Sequence, residues 1–530
     1  MQIVKIPFSQ INELSFKDKF YQEHFDKLKQ FLGGTPDLEG LKNGVQRRSE
    51  NFPVDRTLLH SVLQDHYSNI KLTESQKYNI ERLKDDNTFT IITAHQPSLL
   101  AGPAYYFYKI FSVINLCLEL KEKMPLYHFV PVFINGSEDH DFDEVKSVHM
   151  YGKTVEWDTD QIGPVGRFST KGLNLVLKDA SDILGNSQNA LEINKLFSDA
   201  LENSDNYNEF VFKWLNKLLG SHGLIIVNMD DKRFKKAFSP TMKKEITERK
   251  SIELVQNTQT ELSGLGFRPQ AFAREINLFY MENGTRERII YENRVYRINN
   301  TELTFSEDEL INQIDEFPDK FSPNVVMRPI YQEFILPNIA YIGGGGEISY
   351  WVERKTQFEY FGVYFPVLIR RNSVMILTKS IQKLMDKLEV NLQALLQDEN
   401  NLINLYLEKV TNADFHLLQE TEQINSIFDI ISEKARMIDP TLGPYALSEG
   451  QKVIKSIDAI EARLKKTIKH KEETSINQLK NLRSKLFPDG GLQERTESFL
   501  QYIVSEGFGF QEKLIEICDP LQKEFLFIYI

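Results

Sequence analysis

Hydrophobic and polar positions change their period several times along the 530 residues. Up to residue 87 the spacing predicts helices joined by polar turns; "DRTLLHSVLQDHYSNI" (55–70) places its apolar residues at helical intervals. "TFTIIT" (88–93) is instead a short β-branched run of the kind a buried parallel strand uses. A helical stretch follows, with Ile110, Val113, Ile114, Cys117 and Leu120 on one side, and then "FVPVFI" (129–134), a second buried strand. Strand, helix and strand in succession form a βαβ unit, whose crossover should be right-handed.

Further strands of this type are expected at "GLIIVNMDD" (223–231), "NIAYIG" (338–343) and "YFPVLI" (364–369). Together they predict an α/β fold, a Rossmann-like doubly wound parallel sheet with insertions over 88–372. Between 268 and 305 the pattern alternates, with Asn283-Gly284 and Glu292-Asn293 as turn signals, which predicts a small antiparallel insertion. From 373 to 486 apolar residues recur by sevens. Ile381, Leu388, Leu395 and Leu402 form one series with Leu377 and Leu384; Val453, Ile457, Ile460 and Leu464 begin another, resumed at Leu479, Leu482 and Leu486. "MIDPTLGP" (437–444) interrupts them, so the expected element is an antiparallel α-helical coiled-coil arm. Residues 487–530 are expected to return to the core as helices, and 1–87 to form its N-terminal helical part.

Composition narrows the class. With 41% apolar and 26% charged residues the chain reads as globular and soluble. A net charge of −12 argues against non-specific binding to nucleic acid or to an anionic membrane. Cys117 and Cys518 lack CxxC spacing and read as buried thiols. The start, "MQIVKIPFSQINELSF", has no apolar h-region, and no run is long enough to span a membrane, so a cytoplasmic protein is expected.

Candidate chemistry gathers where strands end. "TAHQPSLLAGPAYYFYKI" (93–110) sets His95, Gln96, Gly102, Pro103 and Lys109 at the carboxyl end of the first core strand, the usual place for a ligand in such sheets. A plain strand-to-helix connection shaped by prolines and glycine explains the stretch equally well. "NGSEDHDFDEV" (135–145) follows the second strand with Ser137, Glu138, Asp139, His140 and Asp141. Besides being a solvated acidic loop, it could hold Mg²⁺, recognise an ammonium group or supply a general base. "IGGGGEISYW" (342–351) offers Gly344, Gly345 and Gly346 as an anion-binding turn, Glu347 at the helix start, and Tyr350 and Trp351 as stacking surfaces or core. It is neither GxGxxG nor a Walker A loop. Arg328 in "MRPIYQEFILPN" (327–338) and Gln493, Glu494 and Arg495 in "FPDGGLQER" (487–495) complete the set, with helix capping as the ordinary alternative.

These segments, in this order and across nearly the whole chain, resemble the BshC family of cysteine ligases of bacillithiol biosynthesis. The resemblance implies a Rossmann-like core similar to class I aminoacyl-tRNA synthetases and a coiled-coil arm that pairs two subunits. It also implies joining of cysteine to the glucosamine amine of glucosaminyl malate. The cysteine carboxylate then needs activation, with ATP the expected agent and Mg²⁺ a possible companion; the metal ligands stay unknown. On this reading Asp139, His140 and Asp141 are the base candidates, Arg328 faces malate or phosphate, and the glycine turn takes phosphate or carboxylate. Two rivals remain: a metal-dependent hydrolase or nucleotidyltransferase using residues 138–141, and a nucleotide-sensing coiled-coil scaffold.

Overall fold

The computed structural model describes residues 1–268, 270–411 and 417–530. In chain order the strands are β1 (Gln2–Pro7), β2 (Thr88–His95), β3 (His128–Asn135), the small ladder β4 (Ser147–Met150) and β5 (Lys153–Glu156), and β6 (Ile225–Asn228). An antiparallel group follows: β7 (Leu278–Glu282), β8 (Thr285–Glu292), β9 (Val295–Ile298), β10 (Thr304–Phe305) and β11 (Phe321–Pro323). Last come β12 (Asn338–Gly343), β13 (Val367–Arg370), β14 (Val374–Leu377) and β15 (Glu524–Tyr529).

The apolar runs form a five-stranded parallel sheet of order β13-β12-β2-β3-β6. Its strands are apolar throughout because both faces are covered. Phe89 and Ile91 of β2 pack under the helices Leu38–Asn51 and Tyr105–Lys123, while Ile92 and Ala94 face the opposite layer. From β2 the chain winds outward to β3 and β6, and later returns to place β12 and β13 on the other side of β2. The order thus reverses between β2 and β12, which opens a crevice at their carboxyl ends. Register brings those ends into line: His95 stands opposite Asn135, and Asn135 opposite Asn228.

The two chain ends depart from the helical expectation. Gln2–Pro7 pairs antiparallel with Glu524–Tyr529, and Val374–Leu377 adds parallel on the other side, giving a β1-β15-β14 sheet. "EFLFIY" is a run of aromatic and branched residues, which favours a pleated, half-buried surface over a helix.

The first heptad series is not a continuous helix. Leu377 lies in β14, and Ile381 and Leu388 belong to the helix Lys379–Leu388, which stops at Glu389 in a left-handed conformation (φ 50°). Leu395 and Leu402 sit in separate helices, and all five share a core with Leu479, Leu482 and Leu486. The antiparallel coiled-coil pair is instead Leu418–Ile438 with Leu442–Lys471, folded at Asp439, whose Oδ1 accepts from the Thr441 N–H at 2.8 Å. Small residues close this hairpin: a Cβ on Gly450 would lie 2.7 Å from the Phe428 ring.

The antiparallel insertion extends past 305, because β11 completes a β10-β9-β8-β7-β11 sheet. Its first turn is Asn283-Gly284, as the sequence signals. The second uses Asn293-Arg294, both with positive φ, one residue beyond the expected pair.

Candidate active site

Over the crevice lies a cavity of about 1110 Å³. The first predicted segment contributes His95, Gln96 and Pro103. The second contributes Ser137, Glu138, Asp139 and His140, and the third Arg328 with Gly344, Gly346, Glu347 and Tyr350. Segments scattered from 93 to 350 therefore share one wall system, because each follows a strand end in the same sheet or packs beside one.

Five candidates of the three strand-end segments lie outside the lining, as do Gln493 and Glu494. Trp351 is 1% exposed and stacks on Tyr341 with centroids 4.4 Å apart, so it belongs to the core. Asp141 points to solvent at the start of the short 142–144 turn. Gly102 shapes the chain behind the wall, with φ +51° and a Cβ position 2.8 Å from that of Ser98. Leu100 and Ala101 before it also have positive φ, a buried strained turn that delivers Tyr105 to the cavity. Gly345 is a packing glycine, since a Cβ there would meet Asp18 Oδ1 at 1.7 Å.

Lys109 lies beneath the site. Its buried ammonium donates to Ala94 O and pairs with Glu347 at 2.8 Å. Glu347 also accepts from Tyr341 OH at 2.6 Å and from Gly344 N–H at 2.9 Å. Burial opposes its ionisation, but the Lys109 charge together with the hydrogen bonds from Lys109, Tyr341 and Gly344 holds the carboxyl below its usual range. The expected anion turn is thus altered: its first N–H is already taken by a carboxylate of the same turn.

His95 is fixed rather than poised. Gln96 O can only accept, so Nδ1 carries the proton at 2.9 Å, and Nε2 accepts from Tyr105 OH at 2.9 Å. Burial, with Lys109 second, lowers its pKa to about 4. The neutral ring orients Tyr105, which lines the cavity.

The acidic cluster separates by environment. Glu138 shares Lys235 with Asp230, at 2.5 and 2.7 Å, and Asp230 is also gripped by Arg167 at 2.8 and 2.9 Å. Burial opposes ionisation of Asp139, yet Arg328, 3.9 Å away, and Arg286 together hold it below its usual range. His140 accepts from Arg286 through Nδ1 at 2.8 Å; burial and then that guanidinium lower its pKa. Glu144 behaves oppositely: burial and then the like charges of Asp141 and Asp139 push it up. The Gln96 side chain acts on both Asp139 and Glu144.

Sequence reasoning missed most of the cations. Arg274, Arg286, Arg288 and Arg371 line the cavity, as does Arg495. Arg371 grips Glu494 at 2.8 and 2.9 Å, while its buried Nε has no partner among the described residues. The guanidinium groups of Arg274, Arg288 and Arg495 also have none among the described residues. The alternation of β8 was the available signal, because it sends Arg286 and Arg288 to one face.

The parallel sheet with its switch-point crevice, lined by paired carboxylates and by guanidinium groups without ion pairs among the described residues, defines a Rossmann-like protein, here carrying an antiparallel ribbon and a coiled-coil arm. Residues 1–372 match the family described as bacillithiol biosynthesis BshC, N-terminal Rossmann-like domain, and 374–530 match its C-terminal coiled-coil domain. The chain belongs to the BshC family. It is 38% identical over 516 residues to a Flavobacterium johnsoniae protein named "Putative cysteine ligase BshC", covering 97% of each chain. Proteins of the same name from Flavobacterium psychrophilum and Bacillus mycoides are 37% and 27% identical; the alignments cover 96% and 89% of this chain, and 97% and 89% of theirs.

Proposed function

We propose that the protein is a ligase that joins L-cysteine to the glucosamine amine of glucosaminyl malate, acting in bacillithiol biosynthesis. The name carried by full-length relatives supports the reaction class. The observation that carries the reading is the imbalance of partners in the cavity. Glu138 and Glu347 are neutralised by lysines from within the protein, whereas Arg274, Arg288 and Arg495 form no ion pair among the described residues. Free arginines in a crevice suit an anionic substrate and an anionic activating group.

The donor set fits the phosphates of ATP at the β12 end. Arg495 and the unpartnered Nε of Arg371 would receive phosphate oxygens, beside Gly346, where a Cβ meets nothing within 4 Å. Bound ATP supplies the means to activate the cysteine carboxylate. The donors do not fit a resident divalent cation: among the described residues no three His, Cys, Asp or Glu side chains gather around one point, and Lys235 already sits between Glu138 and Asp230. That donor set disfavours the metal-dependent hydrolase.

An amine nucleophile must lose a proton before attack. Glu144, whose carboxyl is raised by burial and then by the like charges of Asp141 and Asp139, is the better acceptor, and Asp139, held below its usual range, suits the ammonium form. His140 is less suited, since its Nδ1 is occupied by Arg286. The coiled-coil hairpin completes a homodimer: Ile427, Ile430, Ile431 and Ile438 remain exposed although the hairpin itself is closed, and Ile438 is 84% exposed. We place the protein in the cytoplasm; among the described residues no helix is long and apolar enough to cross a membrane.

The test incubates purified protein with glucosaminyl malate, cysteine and ATP, with products read by mass spectrometry. The amide of cysteine with glucosaminyl malate is expected. No amide under any nucleotide or metal condition would refute the ligase; amide without ATP would refute its activating role alone.

A further inference from the structure

The ribbon β7–β8 and the strap before it present cations to the cavity in an order that fits a particular ligand. Arg286 and Arg288 alternate with Glu287, so both arginines face the cavity while Glu287 points away and takes Asn300 at 3.0 Å. On the paired strand Phe279 stands opposite Arg288, and the Arg286 guanidinium stacks on its ring at 3.9 Å.

Arg286 is locked. It donates from Nε to Ser322 Oγ at 3.0 Å, from Nη2 to Pro323 O at 3.0 Å and from Nη1 to His140 Nδ1 at 2.8 Å. Arg288 and Arg274 are the opposite case, exposed and without a side-chain partner among the described residues. Glu275, the acid nearest in sequence, is held by Arg249 at 3.2 Å. Arg274 and Arg288 therefore line the cavity with no ion pair to a carboxylate among the described residues, beside an Arg286 that is held on the Phe279 ring.

The ribbon is also held firmly to the acidic loop. At its tip the chain around Gly163 packs so closely that a Cβ would meet Gly284 O at 1.9 Å, and Val165 N–H donates to Asp139 O at 2.7 Å. A ligand gripped by the ribbon is thereby placed at a fixed offset from Asp139 and Glu144.

We propose that Arg274 and Arg288, set against the locked Arg286 and the Phe279 ring, form a dicarboxylate subsite that determines which amine-bearing substrate is accepted. The inference rests on the ligase reading for its occupant, the malyl end of the acceptor. Arg274 and Arg288 both line the cavity from separate segments, and neither guanidinium is engaged by another described side chain, so each can take a different carboxylate in a paired, planar contact. The Phe279 ring, opposite Arg288 in the ladder and also lining the cavity, offers an apolar surface to the short carbon chain that joins the two. Activating phosphates belong at the other end of the crevice, with Arg371 and Arg495.

The experiment is calorimetric titration of the full-length protein with L-malate, L-lactate and inorganic phosphate. Wild type is compared with Arg288→Ala, Arg274→Ala and the same-ribbon control Arg297→Ala, whose side chain reaches Glu292 at 3.8 Å away from the cavity. Malate should bind wild type and the control alike, and bind each cavity variant at least about tenfold more weakly; lactate should bind poorly throughout. No malate binding to wild type, equal binding to all four proteins, or equal losses for phosphate and malate would each overturn the subsite.

Failure of the ligase reading is separable, because malate binding needs no turnover. Malate binding lost with the ribbon arginines supports the subsite even if no amide forms. Amide formation with an unchanged KM for glucosaminyl malate in both variants refutes the subsite while leaving the ligase intact.

Discussion

Replacing Lys109 with Met tests the charge balance beneath the site. The change keeps side-chain length and removes the ammonium that pairs with Glu347 at 2.8 Å. Glu347 would keep two hydrogen bonds, from Tyr341 OH and Gly344 N–H, but its charge would face burial alone. Breaking a buried pair costs about 3–5 kcal/mol. The Glu347 side chain is 25% exposed, so water screens it and the low end, about 3 kcal/mol, applies. The sign with pH follows from protonation. In the wild type the carboxyl is held below its usual range, so its contribution is full above the unfolded value and fades as pH falls through the folded one. In Lys109→Met burial raises the carboxyl instead, so the folded state binds the extra proton and stability falls as pH rises. Thermal midpoints of the full chain at pH 5 and pH 8 should therefore diverge more at pH 8, and Lys109→Met with Glu347→Gln should recover much of the loss there. A deficit equal at both pH values, or a double variant as unstable as Lys109→Met at pH 8, would refute the reasoning.

Gly346→Ala adds a methyl group that meets nothing within 4 Å, so the thermal midpoint should hold while the KM for ATP rises by roughly tenfold; unchanged kinetics would remove Gly346 from the ligand's approach. His95 should stay neutral from pH 5 to 8, read from its imidazole NMR signals, because burial and Lys109 lower its pKa to about 4; titration near 6.5 would refute the fixed hydrogen-bond pattern. Ile430→Glu with Ile438→Glu should convert a dimer to a monomer in light scattering without altering the hairpin's helicity, since neither side chain is buried in the hairpin; a dimer that persists would place the subunit contact elsewhere.

The parallel core was legible because a strand covered on both faces leaves an apolar run that few other elements produce. "TFTIIT" and "FVPVFI" each grew by only a residue or two at their ends. The β1-β15-β14 sheet was not legible, since Gln2 pairs with Tyr529 across the whole chain and no local period records that. Heptad spacing misled for a related reason. Leu388 and Leu395 keep a seven-residue interval, but Glu389 in a left-handed conformation ends the helix between them. Equal spacing in sequence does not require one continuous helix when short helices fold back on the same core.

Strand-end positions are dictated by topology, which is why the three motif segments could be foreseen to meet. What each side chain does there depends on partners brought from elsewhere, and those decided the outcome. The four glycines suggested a cradle for a ligand, yet Gly345 makes room for Asp18, whose Oδ1 takes Arg370 at 3.1 Å, and the Gly344 N–H serves Glu347. Gly346 alone among 344–346 lines the cavity with open space before its Cβ. The acidic run shows the same sorting, because Lys235 and Arg328 arrive from other helices to fix Glu138 and Asp139, and Glu144 is left with the raised pKa. Charge that is satisfied inside the protein holds the walls in place. Charge left unsatisfied, chiefly on Arg274, Arg288 and Arg495, is what remains to select a ligand.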